Sequence, residues 1–173
     1  MVSRRTFLAT SGLLASAVAG ASATSIIKDA QSAEAKTAVG SAKVPSYGVH
    51  QPGVELDLQS FARFIALDLK PGTDKASMLR WMGLITDDIV RLTDGQPVLA
   101  DPTSVLATKP ARLTVTVGFG PGVFTKLQLE HERPLGFGEL PSFKIDELVG
   151  SESFGDVLFH IAADDLMSLS HAS

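Results

Sequence analysis

The sequence of 173 residues contains no cysteine, one tryptophan and one tyrosine. The absence of cysteine excludes disulfide bonds, thiolate metal sites, iron–sulfur clusters and a lipoprotein anchor. Lysine and arginine form no cluster, and the formal net charge is −4 at pH 7. Because nucleic-acid binding relies on basic surface and stacking aromatic rings, the composition argues against nucleic acid as a partner. A hydrophobic fraction of 45% and a charged fraction of 20% are typical of one ordinary globular domain.

The N-terminus resembles a twin-arginine export signal, because Arg4 and Arg5 precede an apolar run from Leu8 to Gly20. This run is too short to span a bilayer as a stable helix. Small residues predict cleavage after Ala23, or as late as Ala35. We therefore expect export by the twin-arginine pathway, contact with the membrane only during export, and a periplasmic or extracellular product. A chain without cysteine needs no oxidative folding, which fits folding before export.

Three segments follow from this reading. Residues 1–23 are the predicted signal peptide, and residues 24–46 are a predicted linker, because they are rich in Ala, Ser and Lys without a sustained period. Residues 47–173 form the predicted domain, which opens with the loop YGVHQPGV. His50 in this loop has two interpretations, a ligand or proton shuttle and a hydrogen-bonding anchor, and the Gly/Pro setting favours the anchor.

Three segments show the period of two that is typical of a β-strand with one apolar face. In the stretch from Ala111 to Gly120 the apolar side chains alternate with Arg and Thr, and we place this strand at the centre of the sheet. Phe61 to Leu69 presents Ile65, Leu67 and Leu69 on one face. Gly155 to Ala163 directs Val157, Phe159 and Ile161 toward the core.

A long helix is predicted between the first two strands, because apolar residues recur there every three or four positions: Met78, Met82, Ile85, Ile89 and Leu92. Thr73 is the predicted N-cap, and Asp94-Gly95 predicts the end of the helix. Trp81 and Met82 have two interpretations, a cofactor contact and core packing. Their helical spacing favours the core.

The other segments are predicted to be connections. A helical turn is expected from Val123 to Leu127, and Asp164 or Asp165 is expected to cap a short final helix. His131, Glu132 and Arg133 lie in a polar loop that we interpret as solvated surface, since a metal site would need more ligands nearby. The extended segment from Pro134 to Leu148 is expected to be anchored by three apolar side chains, Leu140, Phe143 and Leu148.

The order strand, helix, strand, short helix, strand, helix is the start of a ferredoxin-like β-α-β-β-α-β unit. We therefore expect an α+β domain with an antiparallel sheet and helices on one face, incomplete at its C-terminus because the last strand is missing. The other face of the sheet is too apolar to be fully solvated and is expected to meet another sheet. It carries Ala62, Phe64, Ala66, Thr114, Thr116, Leu158 and His160.

Four features occur in a fixed order: the export signal, YGVHQPGV, LTVTVGFGPGVF and SFGDVLFHIAADD. Together they resemble the N-terminal half of the dye-decolourising (DyP-type) haem peroxidases, in the exported bacterial branch associated with iron uptake. The resemblance covers Tyr47 to Asp165. It implies two ferredoxin-like halves that face each other as a barrel, haem b held mainly by the second half, and a C-terminal peroxidase half or a homo-oligomer as partner.

The catalytic residues of that family have no counterpart here. The family's distal Asp lies in a Gly-x-x-Asp-Gly motif, whereas Asp94-Gly95 is preceded by Arg91 in place of the first glycine. The histidines do not match the context of the proximal haem ligand: His50, His131, His160 and His171. The sequence therefore assigns no catalytic, cofactor-binding or metal-binding residue, and haem binding by this chain alone is not expected.

Two further hypotheses remain open beside an oxidoreductase that uses hydrogen peroxide. One is a non-enzymatic periplasmic interaction module that docks through its sheet face. The other is a stand-alone dimeric α+β barrel enzyme, which requires a complete fourth strand.

Overall fold

The computed structural model describes residues 40–138, 140–149 and 153–173. The predicted signal peptide, both cleavage positions and the first part of the predicted linker lie outside these residues. Two backbone N–H groups hold the end of that linker against the domain, since Ala111 donates to Gly40 and Arg112 donates to Ala42. Lys43 also forms an ion pair with Asp94, at 2.7 Å. Residues from Gly40 onward therefore belong to one compact unit with the domain.

The sheet has three antiparallel strands in the order β1-β3-β2. β1 is Phe61–Leu67, β2 is Thr114–Phe119 and β3 is Val157–Ala163. β3 lies between the other two strands, so the prediction that the strand in Ala111 to Gly120 is central was wrong. Alternation along a strand reports which side chains share a face, but not which strands lie beside it. β3 takes the centre because it pairs along its whole length with β1 and over most of it with β2.

The observed strands β1 and β2 are also shorter than the sequence patterns predicted. Ala111 and Arg112 have positive φ angles of 48° and 56°, so they form a turn and β2 begins only at Thr114. β1 ends at Leu67, not Leu69. Leu67 is 41% exposed, because it lies at an edge of the sheet and the adjoining face is partly uncovered.

The long helix, α1, is Lys75–Thr93. Its N-cap is Asp74, not Thr73, because the Asp74 carboxylate accepts the backbone N–H of Ser77 at 2.7 Å. The Thr73 hydroxyl instead donates to the Lys70 carbonyl. The predicted C-terminus is confirmed: Asp94 is the C-cap, and Gly95 has the positive φ of 71° that glycine tolerates best.

α1 covers one face of the sheet. The predicted apolar positions of α1 all lie in the core or pack against it: Met78, Met82, Ile85, Ile89 and Leu92. The Trp81 ring meets the Phe159 ring edge-on at 6.0 Å between centroids, which confirms that Trp81 is a core residue. The same core contains the predicted inward residues of β3, Val157, Phe159 and Ile161. The prediction of an antiparallel sheet with helices on one face is therefore confirmed.

Two short α-helices follow, α2 (Pro121–Lys126) and α3 (Leu166–His171). 3₁₀ turns span Ser104–Thr108 and Glu130–Glu132. Asp165 caps α3 by accepting the Ser168 N–H at 2.9 Å, which decides between the two candidate caps. The pKa of the Asp165 carboxyl is held below its usual value, first by this backbone hydrogen bond.

The extended segment after residue 134 is not anchored as predicted. Leu140, Phe143 and Leu148 are 83%, 57% and 62% exposed. Phe137 makes the contact instead, with its ring edge-on to Phe124 at 6.0 Å. Apolar residues within a loop carry no period, so the sequence could not indicate which of them is covered.

Candidate functional site

The second face of the sheet, opposite α1, is the candidate functional surface. The strand register places its side chains in rows: His160 lies between Phe64 and Thr116, and Leu158 lies beside Ala66. The predicted membership of this face is therefore confirmed by the register.

Residues of the YGVHQPGV loop and those just after it cover the β2 half of this face. The Thr116 hydroxyl donates to the Pro52 carbonyl at 2.5 Å, and Gln59 donates to the Thr114 hydroxyl at 2.9 Å. Gly53 has φ 92°, and a Cβ there would lie 2.7 Å from the Thr116 hydroxyl oxygen. Glycine is therefore required at this approach, and Thr114 is fully buried beneath it.

The β1 half of the face stays open, and we call it the open patch: Ala62, Phe64, Ala66, Leu158 and His160. Phe64 is 67% exposed, and its ring stacks on the His160 ring with centroids 4.5 Å apart and planes 12° apart. His160 is half-buried, and its ring makes no hydrogen bond or ion pair within the described part of the chain. The open patch thus offers an apolar surface with one ring that can donate or accept.

Gln51 protects the outer edge of β2. Its side-chain amide donates to the Val117 carbonyl and accepts the Val117 N–H, each at 2.9 Å. The amide therefore takes the place of a neighbouring strand at this position. Nothing in the sequence pattern singled out Gln51, because its role depends on which strand lies at the edge.

Asp156 joins the motifs GFGPG and SFGD. The residue Asp156 is 3% exposed. Its carboxylate accepts the Leu69 N–H at 2.6 Å. A Cβ on Gly122 would lie 2.3 Å from Asp156 Oδ1, and one on Gly120 would lie 2.1 Å from the Gly155 carbonyl oxygen. These glycines are therefore required by close packing around Asp156, and both motifs have a structural role.

The four histidines have separate partners. His50 and His131 lie on the surface next to Glu55 and Glu132, at 3.2 and 3.6 Å. The contact of His50 agrees with an anchor, and that of His131 with solvated surface. His171 lies 3.0 Å from the nearly buried carboxylate of Asp101, a pair that sequence reasoning missed because 70 positions separate the two residues.

Asp94 and Arg91 are also accounted for. Asp94 caps α1 and pairs with Lys43, and Arg91 pairs with Asp87 one turn earlier at 2.9 Å. Among the described residues, no group of three or more His, Cys, Asp or Glu side chains is placed to hold a metal ion. No helix in this part of the chain combines the length and apolarity needed to cross a membrane.

A family model described as Dyp-type peroxidase, N-terminal, matches residues 51–172. The chain belongs to this family. The match covers both glycine-containing motifs, all three strands and the open patch.

Similar proteins support the assignment. The dye-decolorizing peroxidase of Thermobifida fusca is 29% identical over 147 residues, which cover 81% of this chain and 34% of that protein. The deferrochelatase of Yersinia pestis is 31% identical over 140 residues, which cover 75% of this chain and 32% of that protein. The chain therefore spans about a third of the length of these relatives.

Solved structures confirm the ferredoxin-like fold of DyP-type peroxidases. The DyP-type peroxidase of Cellulomonas bogoriensis is 46% identical with a TM-score of 0.74, and the match covers 77% of this chain and 37% of that one. DtpA of Streptomyces lividans is 34% identical with a TM-score of 0.73, and the match covers 78% of this chain and 37% of that one.

The described residues do not fit a haem group on their own. Surface hollows of about 670, 410 and 240 Å³ are large enough to consider, but none of these three is lined by a histidine. The His171 ring contacts the Asp101 carboxylate, and the His160 ring is stacked on the Phe64 ring. None of these three hollows therefore offers a histidine as an axial ligand.

Proposed function

We propose that this chain forms the N-terminal half-barrel of a haem-dependent peroxidase, an oxidoreductase that uses hydrogen peroxide. In this proposal a C-terminal peroxidase half holds the haem and supplies the reacting side chains. The observation that carries the proposal is the family match over residues 51–172, together with coverage of only 37% of the Cellulomonas peroxidase. The names of the related structures agree, since DtpA is described in ferric and oxyferrous forms.

The role of this chain is to close one side of the haem chamber. Phe64 and Leu158 are 67% and 40% exposed on the open patch. At about 25 cal/mol per Å² of apolar surface, covering a few hundred Å² contributes several kcal/mol. A second sheet packed on this patch would exclude water from the chamber and leave the His160 ring at the interface. We assign no reaction step to the described residues.

Reconstitution tests the proposal. The 173-residue chain is mixed with the part of the Cellulomonas peroxidase that lies outside the match to this chain. The mixture is loaded with haemin, and peroxide turnover is measured. We expect turnover to rise at least tenfold above that of the remaining part alone. Phe64→Lys should reduce the gain because it places a charge on the open patch, whereas Leu84→Lys, on the exposed side of α1, should not.

A non-enzymatic interaction module is the second candidate. It is favoured by the partial cover of the sheet face, since residues 51–59 already bury Thr114 and leave a smaller patch open. A module of this kind would be a stable monomer that does not bind the C-terminal peroxidase part. Light scattering and thermal melting, with and without that part, separate the two candidates.

A further inference from the structure

The smallest of the three hollows, about 240 Å³, lies between α1 and the outer edge of β2, and we call it the β2 hollow. Three parts of the chain form its wall: the segment that ends in the loop of Gln51, the middle of α1, and β2. Val115 and Val117 belong to the core that packs against α1, so the β2 hollow lies on the α1 side of the sheet. The apolar wall consists of six side chains: Met82, Ile89, Val90, Val115, Val117 and Phe119.

Four polar side chains also line the β2 hollow, and three of them are already engaged. The Gln51 amide is bonded to both the N–H and the carbonyl of Val117. The hydroxyls of Ser46 and Thr86 form hydrogen bonds of their own. The Tyr47 hydroxyl has no hydrogen-bond partner in the described part of the chain. The β2 hollow therefore combines an apolar wall with one free polar side chain.

The volume of the β2 hollow limits the size of a ligand. A cavity of about 150 Å³ lined by aliphatic and aromatic side chains is large enough for benzene. Sites for drug-sized molecules are larger, at about 300–1,000 Å³. With about 240 Å³, the β2 hollow fits one ring or two fused rings.

The chemistry of the wall favours an uncharged aromatic ligand. Tyr47 and Phe119 are 72% and 42% exposed, so both rings have area to offer to a second ring. Met82 adds a thioether, which contacts aromatic rings favourably. The described wall contains no Lys, Arg, His, Asp or Glu. A charged ligand would therefore lose hydration there without gaining an ion pair.

We propose that the β2 hollow binds a small uncharged aromatic molecule that carries one hydrogen-bonding group. The ring packs between α1 and β2, and its polar group meets the Tyr47 hydroxyl, which can donate or accept. This chain alone forms the site, so the inference goes beyond the proposed function and does not depend on it.

Titration with indole tests the site, with the methyl groups of the 173-residue chain followed by NMR. We expect saturable shifts of the Val115 and Val117 methyl resonances and no shift of Leu158 in the open patch. Cyclohexanol has a polar group but no aromatic ring, and it should give no saturable shift at the same concentrations. Three results would each overturn the inference: no saturation by indole, shifts confined to the open patch, or equal binding of cyclohexanol.

Matched phenylalanine variants locate the ring. Val90→Phe fills the β2 hollow and should raise the Kd of indole by about tenfold or more. Leu84→Phe adds the same ring on the exposed side of α1 and should change the Kd by less than about twofold. Circular dichroism checks that both variants fold, and the methyl shifts of the parent chain locate the ligand independently of them. An unchanged Kd in a folded Val90→Phe would place indole elsewhere and overturn the inference.

A second pair of measurements tests the polar group. Tyr47→Phe keeps the ring and removes the hydroxyl, so the Kd of indole should rise by about threefold. Benzofuran has the shape of indole without the N–H, and its Kd should be the same in the parent chain and in Tyr47→Phe. An equal change for both ligands would overturn the assignment of Tyr47 as the partner of the polar group.

Discussion

The Lys126 ammonium lies 2.5 Å from Oδ2 of Asp156, a carboxylate that also accepts the Leu69 N–H. The Asp156 backbone adds two bonds, donating to the Leu67 carbonyl and accepting the Gly120 N–H. One residue thus ties the end of β1 and the start of α2 to the first residue of β3. The Asp156 interaction raises the pKa of Lys126 above its ordinary value of 10.5, chiefly through the hydrogen bond between the side chains.

Removing the Asp156 carboxylate should therefore destabilise the fold. In Asp156→Ala the part-buried Leu69 N–H loses its charged acceptor, and we expect the free energy of unfolding to fall by about 1.5–3 kcal/mol. Asp57→Asn is the control, because the Asp57 side chain is exposed and contributes no carboxylate hydrogen bond. Urea unfolding followed by circular dichroism measures both. Equal stabilities of the two variants would contradict the role assigned to Asp156.

Gly122 offers a sharper test of the packing between α2 and Asp156. In Gly122→Ala the new Cβ would lie 2.3 Å from Asp156 Oδ1, so either the carboxylate or α2 must move. We expect a loss of about 1–3 kcal/mol, as for other overpacked sites. Gly83→Ala is the matched control within α1, where a Cβ meets nothing within 4 Å. It should stabilise the chain by about 0.5–1 kcal/mol through helix propensity. The same sign for both variants would disprove the explanation.

The helix caps predict a loss of stability in acid. The pKa values of Asp74 and Asp165 are held below the ordinary 3.8, mainly by hydrogen bonds from Ser77 and Ser168. A carboxyl with a lower pKa in the folded state stabilises the fold above its unfolded-state pKa, and this stabilisation is lost as pH falls through the folded value. We therefore expect the Tm to decrease once the pH is lowered below about 4. Asp74→Asn should show a smaller fall than the parent chain, and an unchanged pH profile would contradict the assignment.

Much of the fold was predictable from the sequence, and the reason is local. Alternation identified β1, β2 and β3, and the helical period identified the buried face of α1, because both depend on neighbours within one element. The pairing order was not predictable: the edge position of β2 depends on contacts across more than 60 residues, such as Gln51 with Val117. The candidate site divides in the same way. The sequence predicted which residues share the second face of the sheet, but not that residues 51–59 cover half of that face.

The export signal remains a prediction, since residues 1–39 lie outside the described residues. We propose that Arg4 and Arg5 direct export by the twin-arginine pathway, because they precede a short apolar run. Replacing both with lysine should abolish translocation, measured as the fraction of mature chain in the periplasm. Lys28→Arg, an exchange between basic residues outside the Arg4-Arg5 pair, is the charge-conserving control and should be exported normally. Normal export of the paired lysine variant would rule out the twin-arginine assignment.

The last prediction concerns haem binding by this chain alone. The His160 ring lies in the open patch and stacks on the Phe64 ring, and we expect haemin to bind the chain weakly and without a defined ligand. Titration of the 173-residue chain with haemin should give a broad Soret absorption and no increase in peroxide turnover. His160→Ala and the surface variant His131→Ala should behave like the parent. A sharp Soret band that disappears in His160→Ala and persists in His131→Ala would show that the chain carries its own iron ligand. That result would contradict the proposal that a C-terminal half holds the haem.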